Sequence, residues 1–214
     1  TDSDGTRHYF GETLEGGYVA LSGIYLSLEK QLDGTFILTL ADKTTKYTFN
    51  PNGKIQSIAD SNENVTKFTY NTSGSLQSIQ DASNRTLSIA YGSNGFISTI
   101  TAENRIYSYT QDGNGNLLSH TNAKNSTKTY TYDGIGRLTG RTDGRNITTT
   151  IAYDASSRVN RVSHPITVGG TVQESVTTFT YDPGNSLSTR INNTNQRTDF
   201  SYDPLGRVTQ ITEN

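Results

Sequence analysis

Residues 131–139 read TYDGIGRLT and residues 201–209 read SYDPLGRVT, so one motif, Tyr-Asp-x-x-Gly-Arg-Leu/Val-Thr, occurs twice. The aromatic residue of this motif recurs along the chain at Phe49, Tyr70, Tyr91, Tyr132, Tyr153, Tyr181 and Tyr202. The steps between these positions are 21, 21, 41, 21, 28 and 21 residues, and the step of 41 contains one more unit with Gln111 in the aromatic position. The chain is therefore predicted to consist of about eight repeats of 21 residues.

Two further columns of residues keep the same register. Two residues before the aromatic position lie Tyr47, Phe68, Ile89, Tyr109, Tyr130, Ile151, Phe179 and Phe200. Six residues after it lie Ile55, Leu76, Ile97, Leu117, Leu138, Val159, Leu187 and Val208. Side chains alternate along a strand, so the aromatic position and the one two residues before it share a face. The spacing of three between Leu138 and Arg141 requires a bulge if these two share a face as well, and the sequence leaves that open.

Turn-forming residues separate the predicted strands. Asp133, Gly134, Ile135 and Gly136 fit a type I turn followed by a glycine bulge, because Asp bonds nearby backbone amides and Gly accepts positive φ. A second turn follows about eleven residues after each aromatic position. The fourth residue of this turn is often Asn, which tolerates positive φ, as at Asn84, Asn125, Asn146 and Asn195. The predicted fold is all-β, an antiparallel meander of hairpins forming a curved, spiralling sheet.

Two irregularities interrupt the period. The step of 28 adds seven residues within 163–176, and Gly169-Gly170 at its middle predicts a lengthened hairpin. A one-residue deletion within 101–105 puts Gln111 in the aromatic position and predicts a gap in the aromatic column. Residues 1–40 lie outside the repeat and are predicted to form a strand-rich cap, and residues 41–214 are predicted to form one continuous sheet.

Composition limits the possible functions. The net charge of −2 and the isoelectric point of about 5.9 argue against nucleic-acid binding, which favours a basic surface. No cysteine is present, which excludes disulfides and thiol nucleophiles. The longest apolar runs, such as residues 36–40, are too short to span a bilayer. An apolar content of 31% predicts a thin structure with a large surface.

No catalytic set emerges from the residues. His8, His120 and His164 have no Ser or Asp partner at a recognisable spacing. The aspartates at the turns recur with the repeat, which indicates a capping role. Asp112, Asn114 and Asn116 resemble the start of a calcium loop, but Ala123 stands where the bidentate Glu is needed. We therefore predict a protein that is not an enzyme, with no catalytic, metal-binding or cofactor-binding residues.

The motifs YDGIGRLT, YDPLGRVT and YNTSGSLQSI resemble the YD repeat of RHS (rearrangement hot spot) proteins over roughly residues 41–214. The lead-in, DGTRHYF and then DGTFILTLADKTTKYTFNPNGKIQSI, is similar to the start of the repeat region in wall-associated bacterial RHS proteins. The resemblance implies a β-sheet shell, as in teneurins and insecticidal toxin-complex subunits, that encloses a toxin or other cargo. Many such shells end in a self-cleaving region, which we do not expect here because residues 203–206 continue as an ordinary repeat.

The resemblance implies a structural module on a secreted or cell-surface bacterial protein, and we expect a fragment of a larger parent. Its expected partners are the remaining shell repeats and a cargo, and a terminal edge strand at 207–214 predicts self-association. The alternative is a surface adhesin that binds carbohydrate through an exposed face of Phe49, Tyr70, Tyr91, Tyr132, Tyr153, Tyr181 and Tyr202. Packing of these residues as a structural ladder is the preferred interpretation.

Overall fold

The computed structural model describes residues 7–13, 17–21, 23 and 25–214, and within them the chain forms β-strands and one short 3-10 turn but no α-helix. The strands are β1 Phe10–Glu12, β2 Tyr18–Ala20, β3 Ser27–Lys30, β4 Phe36–Thr39, β5 Lys46–Phe49, β6 Ile55–Ala59, β7 Val65–Tyr70, β8 Leu76–Gln80, β9 Thr86–Tyr91 and β10 Ile97–Ala102. They continue with β11 Arg105–Gln111, β12 Leu117–Thr121, β13 Thr127–Tyr132, β14 Leu138–Thr142, β15 Thr148–Tyr153, β16 Val159–Val168, β17 Thr171–Asp182, β18 Leu187–Ile191, β19 Arg197–Tyr202 and β20 Val208–Glu213. The predicted lead-in (4–10) and first strand region (18–28) lie partly outside the described residues.

The chain divides into two compact units, Thr1–Ile106 and Tyr107–Asn214. In the first unit β1 and β2 form a small antiparallel sheet, and β3 to β10 pair in chain order. In the second unit β11 to β20 pair in the same way. Each of these pairs is antiparallel and joins neighbours in sequence, which confirms the predicted all-β meander.

A β-bulge follows nearly every YD-type turn and settles the spacing question. Tyr132 pairs with Leu138, whereas Thr131 pairs with Gly140, so Thr139 is the extra residue. Tyr130 pairs with Arg141, which puts Leu138 and Arg141 on the face of the two tyrosines. The same register shift occurs beside Phe49, Tyr70, Tyr91, Gln111, Tyr153 and Tyr202. We call the face that carries the aromatic column the tyrosine face.

Both irregularities in the period are confirmed. Gln111 pairs with Leu117 across the same bulge, so it holds the aromatic position. Only Glu103 and Asn104 join β10 to β11, where five residues join β12 to β13, and this short turn accounts for the deletion. The extra seven residues lengthen β16 and β17, which meet at Gly169 and Gly170 with φ of 58° and 80°.

The turn after β17 departs from the predicted register. Pro183–Asn185 forms the 3-10 turn there, and Asp182 pairs directly with Leu187 without a bulge. Leu187 therefore lies on the face opposite Tyr181, and Ser188 takes the place predicted for it because Ser188 pairs with Tyr181. The 21-residue register predicts Leu187 in the apolar column, and this prediction is wrong because Leu187 pairs with Asp182.

Neither unit contains a fully buried apolar side chain among the residues described. The buried side chains are polar: Ser163, Thr189 and Thr198. The face opposite the tyrosine face carries paired hydroxyls, such as Thr69 with Ser78 at 2.6 Å and Thr142 with Thr148 at 2.8 Å. Stability must therefore come mainly from strand pairing and from contacts between successive repeats.

The YD turn itself depends on Gly136, and this gives a first prediction. Gly136 has φ of 83° and donates its amide to the Asp133 carbonyl oxygen at 3.0 Å, which closes the tight turn. Gly136→Ala is expected to cost about 1 kcal/mol of unfolding free energy, because a Cβ disfavours positive φ. Gly134→Ala in the same turn is the matched control, since nothing lies within 4 Å of a Cβ there and its φ is not positive. Equal losses of the urea midpoint in both variants would contradict this explanation.

Candidate functional site

The seven predicted site residues share a repeated position in the sheet. Six of them pair across a bulged turn with the apolar column: Phe49 with Ile55, Tyr70 with Leu76, Tyr91 with Ile97, Tyr132 with Leu138, Tyr153 with Val159 and Tyr202 with Val208. Tyr181 pairs with Ser188 instead. All seven are partly buried rather than buried. Each one ends the first strand of its hairpin, or, for Tyr181, lies next to that end.

The tyrosine hydroxyls join each repeat to the one before it. Each of five hydroxyls donates to the backbone carbonyl oxygen of the first residue in an earlier strand: Tyr70 to Ile55 at 2.7 Å, Tyr91 to Leu76 at 2.8 Å, Tyr132 to Leu117 at 3.0 Å, Tyr153 to Leu138 at 2.8 Å and Tyr181 to Val159 at 2.7 Å. The separation is 15 residues in the first four and 22 in the last, where the lengthened hairpin intervenes. We call these five bonds the tyrosine joints.

The remaining aromatic positions depart from this pattern for local reasons. The Tyr202 hydroxyl pairs with the Ser188 hydroxyl at 2.8 Å, because the missing bulge brings Ser188 to the tyrosine face. Phe49 has no hydroxyl and pairs with Phe36 on its other side. Gln111 fills the aromatic position without a ring, as the sequence predicted.

The arginine of the motif connects the turn to the tyrosine of the next repeat. Arg137 donates its Nε to the Asp133 carboxylate at 2.6 Å, and its guanidinium carbon lies 4.5 Å from the centre of the Tyr153 ring. Arg158 makes the same two contacts, with Asp154 at 2.8 Å and with the Tyr181 ring at 4.5 Å. A cation over an aromatic ring is attracted by the electrons of the ring face. The motif therefore holds two repeats together through one side chain.

Exposure separates the arginines that have a ring beside them from one that does not. The side chains of Arg137 and Arg158 are 29% and 36% exposed, whereas Arg207 is 74% exposed. Arg207 still forms the ion pair with Asp203 at 2.7 Å. In the first unit Lys54 takes the arginine's place, with its ammonium 5.2 Å from the Tyr70 ring centre and bonded to the Gly74 carbonyl oxygen.

The turn aspartates are held in the ionised form by hydrogen bonds. Asp133 Oδ1 accepts the backbone amides of Arg137 and Ile135 at 2.9 and 3.1 Å. The Arg137 amide and then its guanidinium hold the pKa of the Asp133 carboxyl below its ordinary value. The pKa of Asp154 and of Asp203 is lowered in the same way, first by the backbone amide of Arg158 and of Arg207 respectively. These carboxylates act as turn caps.

The other chemical candidates also lie within structural contacts. The His120 ring stacks on Tyr109 with centres 5.2 Å apart, at the position held by isoleucine in the first unit. Asp112 Oδ1 accepts the amides of Asn114 and Asn116, and its Oδ2 accepts the Asn116 side chain, so its carboxylate is used within its own turn. Among the described residues, no cluster of three His, Asp or Glu side chains could hold a metal ion. No helix in that part of the chain is long and apolar enough to cross a membrane.

The sequence predicted the aromatic column but missed its contacts. The acceptor of each tyrosine joint is a backbone atom, which has no residue-specific signal. The Arg of the motif was visible in TYDGIGRLT and SYDPLGRVT, and its recurrence four residues after Asp was the available signal for an ion pair. Ring-to-ring contacts within the described residues are Tyr18 with Phe36 and Tyr109 with His120, and none involves two members of the column.

Comparison with known proteins gives the family. Residues 33–148, more than half of the 214-residue chain, match the family model described as Teneurin YD-shell. The chain belongs to this YD-shell family. The resemblance to RHS-type YD repeats seen in the sequence is thereby confirmed, and the family is one of structural shells.

Two sequence relatives and two solved structures extend the comparison. The chain is 36% identical over 63 residues to the tRNA nuclease WapA of Bacillus subtilis (strain 168) and, equally, to the tRNA3(Ser)-specific nuclease WapA of Bacillus spizizenii. These matches cover 29% of this chain and 3% of each relative. The crystal structure of TcdB2-TccC3 aligns with 97% of this chain at a TM-score of 0.56 and 15% identity, and that of TcdB2-TccC3-Cdc42 with 96% at 0.52 and 14% identity.

These structural alignments establish a shared fold. This chain covers 14% of each of the two solved chains, so it spans a small part of every relative named. The activities named for these whole proteins are therefore statements about those proteins and not about this chain.

Proposed function

We propose that this chain is a non-enzymatic segment of a YD shell that encloses or presents a toxin or other cargo on a secreted or cell-surface bacterial protein. The observation that carries the proposal is the series of tyrosine joints. Each joint uses the polar end of an aromatic side chain to fix one repeat on the previous one, which is what a wall built from hairpins needs. Membership of the YD-shell family and similarity to WapA nucleases support the same interpretation.

The wall would work mechanically. Strand pairing resists separation along each hairpin, and the joints together with the Arg137 and Arg158 contacts resist separation between hairpins. We propose that residues 1–40 form a cap and that residues 41–214 form the repeat wall. Its partners would be further shell repeats, the cargo and, through the edge of β20, another copy of the wall.

The adhesin alternative ranks second for a specific reason. Sugar binding by tyrosine needs free ring faces and free hydroxyls, whereas the joints use five hydroxyls and cations lie over three rings. A glycan array with the wild-type chain and the Tyr132→Ala/Tyr153→Ala variant compares the two functions. Glycan binding that disappears in the variant would favour the adhesin.

Protease protection tests the shell function. In the full-length protein that carries this chain, limited trypsin digestion should leave the cargo intact, whereas the same cargo expressed alone is cleaved. Weakening the wall by Tyr132→Phe and Tyr153→Phe should make the cargo more accessible, because two joints are lost. Equal cleavage of enclosed and isolated cargo would overturn the proposal.

A further inference from the structure

The tyrosine face of strands β11 to β14 differs in its side chains from the tyrosine face of the first unit. In the first unit the positions in the middle of the strands are apolar: Phe68 pairs with Ile79, Ile79 with Leu87, and Ile89 with Ile100. In the second unit, strands β11 to β14 carry a histidine, a lysine and an arginine at some of the equivalent positions, whereas Ile151 with Val162 and Phe200 with Ile211 stay apolar. Tyr109 pairs with His120, His120 with Lys128, and Tyr130 with Arg141. We call the residues Tyr109, His120, Lys128, Tyr130 and Arg141 the cationic strip.

The lysine and the arginine of the cationic strip have no charged or hydrogen-bonded partner among the described residues. The side chains of Lys128 and Arg141 are exposed and make no ion pair or hydrogen bond there. The turn arginines differ in this respect, because Arg137, Arg145, Arg158 and Arg207 each pair with an aspartate of their own turn. Arg190, which occupies the position of Arg141 in a later repeat, donates to Thr198 at 3.0 Å. The strip therefore presents charge that the fold itself does not use.

The surrounding strands contain no opposing charge. Strands β11 to β15 read RIYSYTQ, LLSHT, TKTYTY, LTGRT and TTTIAY, with no Asp or Glu in any of them. The aspartates at the turns beside these strands, Asp112, Asp133 and Asp143, accept hydrogen bonds within their own turns. The charged side chains of these strands, Arg105, Lys128 and Arg141, are therefore all basic.

We propose that the cationic strip binds an acidic, extended polypeptide segment. Neighbouring strands lie about 4.8 Å apart and alternate residues about 6.8 Å apart, so His120, Lys128 and Arg141 are spaced by about 5–8 Å. Carboxylates at alternate positions of an extended peptide have a matching spacing of about 6.8 Å. Tyr109 pairs with His120 and Tyr130 with Arg141, so two aromatic side chains lie beside these residues and could contact the apolar parts of such a segment.

A short acidic peptide fits the strip better than a nucleic acid does. Nucleic-acid binding relies on neutralising many phosphates, and affinity depends on the number of such contacts. The strip supplies two lysine or arginine charges and one histidine, and the whole chain has a net charge of −2. This balance suits the two or three carboxylates of one peptide segment. The inference rests on the proposed function in one respect, because it makes the bound segment part of the cargo.

The binding test uses the 214-residue chain and a defined probe. The probe is a fluorescein-labelled peptide of about ten residues with alternating Glu and Thr, which puts the carboxylates on one side of an extended strand. Fluorescence anisotropy at low salt should show binding. Lys128→Thr/Arg141→Val should weaken it about fivefold to tenfold, because two exposed charge contacts are lost. Both replacements occur at these positions in other repeats, as Thr149 and Val162.

A matched control removes the same charge elsewhere. Lys46→Thr/Lys67→Thr also deletes two lysine or arginine charges, but these lysines lie in β5 and β7 on the face opposite the tyrosine face, opposite Ala59 and Ser57. This variant should bind like the wild type. Lys128→Gln/Arg141→Gln keeps long polar side chains and provides a second test of the charges if the first variant folds poorly. Unchanged affinity in both strip variants would overturn the proposal.

Two further probes complete the experiment. The same peptide with Gln in place of Glu should not bind, and binding at the level of the Glu peptide would overturn the role of charge. A single-stranded oligothymidylate of similar length should bind more weakly than the Glu peptide, and stronger binding would replace the peptide by a nucleic acid. Failure of protease protection would refute the shell function without changing these affinities, so the two proposals fail separately.

Discussion

Replacing Tyr70, Tyr91, Tyr132, Tyr153 and Tyr181 together by phenylalanine is expected to lower the unfolding free energy of the chain by about 5 kcal/mol. Each substitution removes one hydroxyl that donates to a backbone carbonyl and keeps the ring. A hydrogen bond of this kind contributes about 1 kcal/mol net, and separate sites add approximately. Folded domains are stable by about 5–15 kcal/mol, so the loss takes a large part of the total.

This loss is a large one for a protein whose described residues include no fully buried apolar side chain. A chain with a packed interior tolerates the removal of peripheral hydrogen bonds, because burial supplies most of its stability. Here no apolar side chain among the described residues is fully buried. In repeat proteins stability depends on each repeat and on its interface with the next, and the tyrosine joints are part of those interfaces. Urea denaturation followed by circular dichroism measures the effect as a lower midpoint.

The control for this fivefold variant replaces three other tyrosines, which belong to the column two residues before the aromatic position. Tyr47, Tyr109 and Tyr130 lie two residues before an aromatic position, and their hydroxyls form no hydrogen bond with the described residues. Their joint replacement by phenylalanine should leave the urea midpoint nearly unchanged. If this triple variant loses as much per residue as the fivefold variant, the joints are not the source of the stability.

The turns and the strand register could be predicted from the sequence, because each depends on residues that are close together in the chain. Gly136 and Asn146 correctly predicted turns that need positive φ. Gly169-Gly170 correctly predicted the tip of the long hairpin. Gln111 was placed correctly because the columns on both sides of it keep their register. The bulge at Thr139 stayed undecided, since a spacing of three does not distinguish a bulge from a change of face.

The contacts between repeats could not be predicted from the sequence, and the reason is a different one. Each tyrosine joint ends on a carbonyl 15 or 22 residues away, and every residue type has that carbonyl. The position of Arg137 over Tyr153 depends on how one hairpin lies beside the next, which period alone does not determine. The error at Leu187 has the same origin: Pro183–Asn185 looks like any other turn in the alignment but removes the bulge that the other turns share.

Acid is expected to destabilise the chain strongly, because aspartates head many of its turns. Hydrogen bonds at the turns lower the carboxyl pKa of Asp33, Asp42, Asp60, Asp81, Asp112, Asp133, Asp143, Asp154, Asp182 and Asp203. A carboxyl whose pKa is lower in the folded state contributes stability that is present above its ordinary value of 3.8. That stability is lost as the pH falls through the folded pKa, which is about 2 for Asp42 because of its bond from the Thr45 side chain.

The urea midpoint should therefore be nearly constant above about pH 5 and fall steeply between about pH 4 and pH 2. Ten turns lose their charged cap over the same interval, so the small individual contributions act together. Because these carboxylates are exposed, part of each ion-pair contribution is screened, and added salt should reduce the effect. A midpoint that is independent of pH down to about pH 2.5 would contradict the capping role of the aspartates.

Replacing the turn aspartates by asparagine tests the hydrogen bonds of the cap separately from its charge. Asn122 heads an equivalent turn and accepts the amides of Lys124 and Ser126 through Oδ1, as Asp133 accepts those of Ile135 and Arg137. Asp133→Asn/Asp154→Asn/Asp203→Asn should keep those amide bonds but lose the ion pairs to the motif arginines. The variant should be somewhat less stable at neutral pH and lose less stability in acid than the wild type.

Carboxylates without such contacts provide the comparison. Glu29, Glu63 and Glu213 form no side-chain hydrogen bond or ion pair with the described residues, so replacing them by glutamine removes the same number of titrating groups. This second variant should follow the wild-type acid profile, because charge outside the turns does not hold them closed. If both variants flatten the profile equally, net charge rather than the aspartate caps governs acid unfolding.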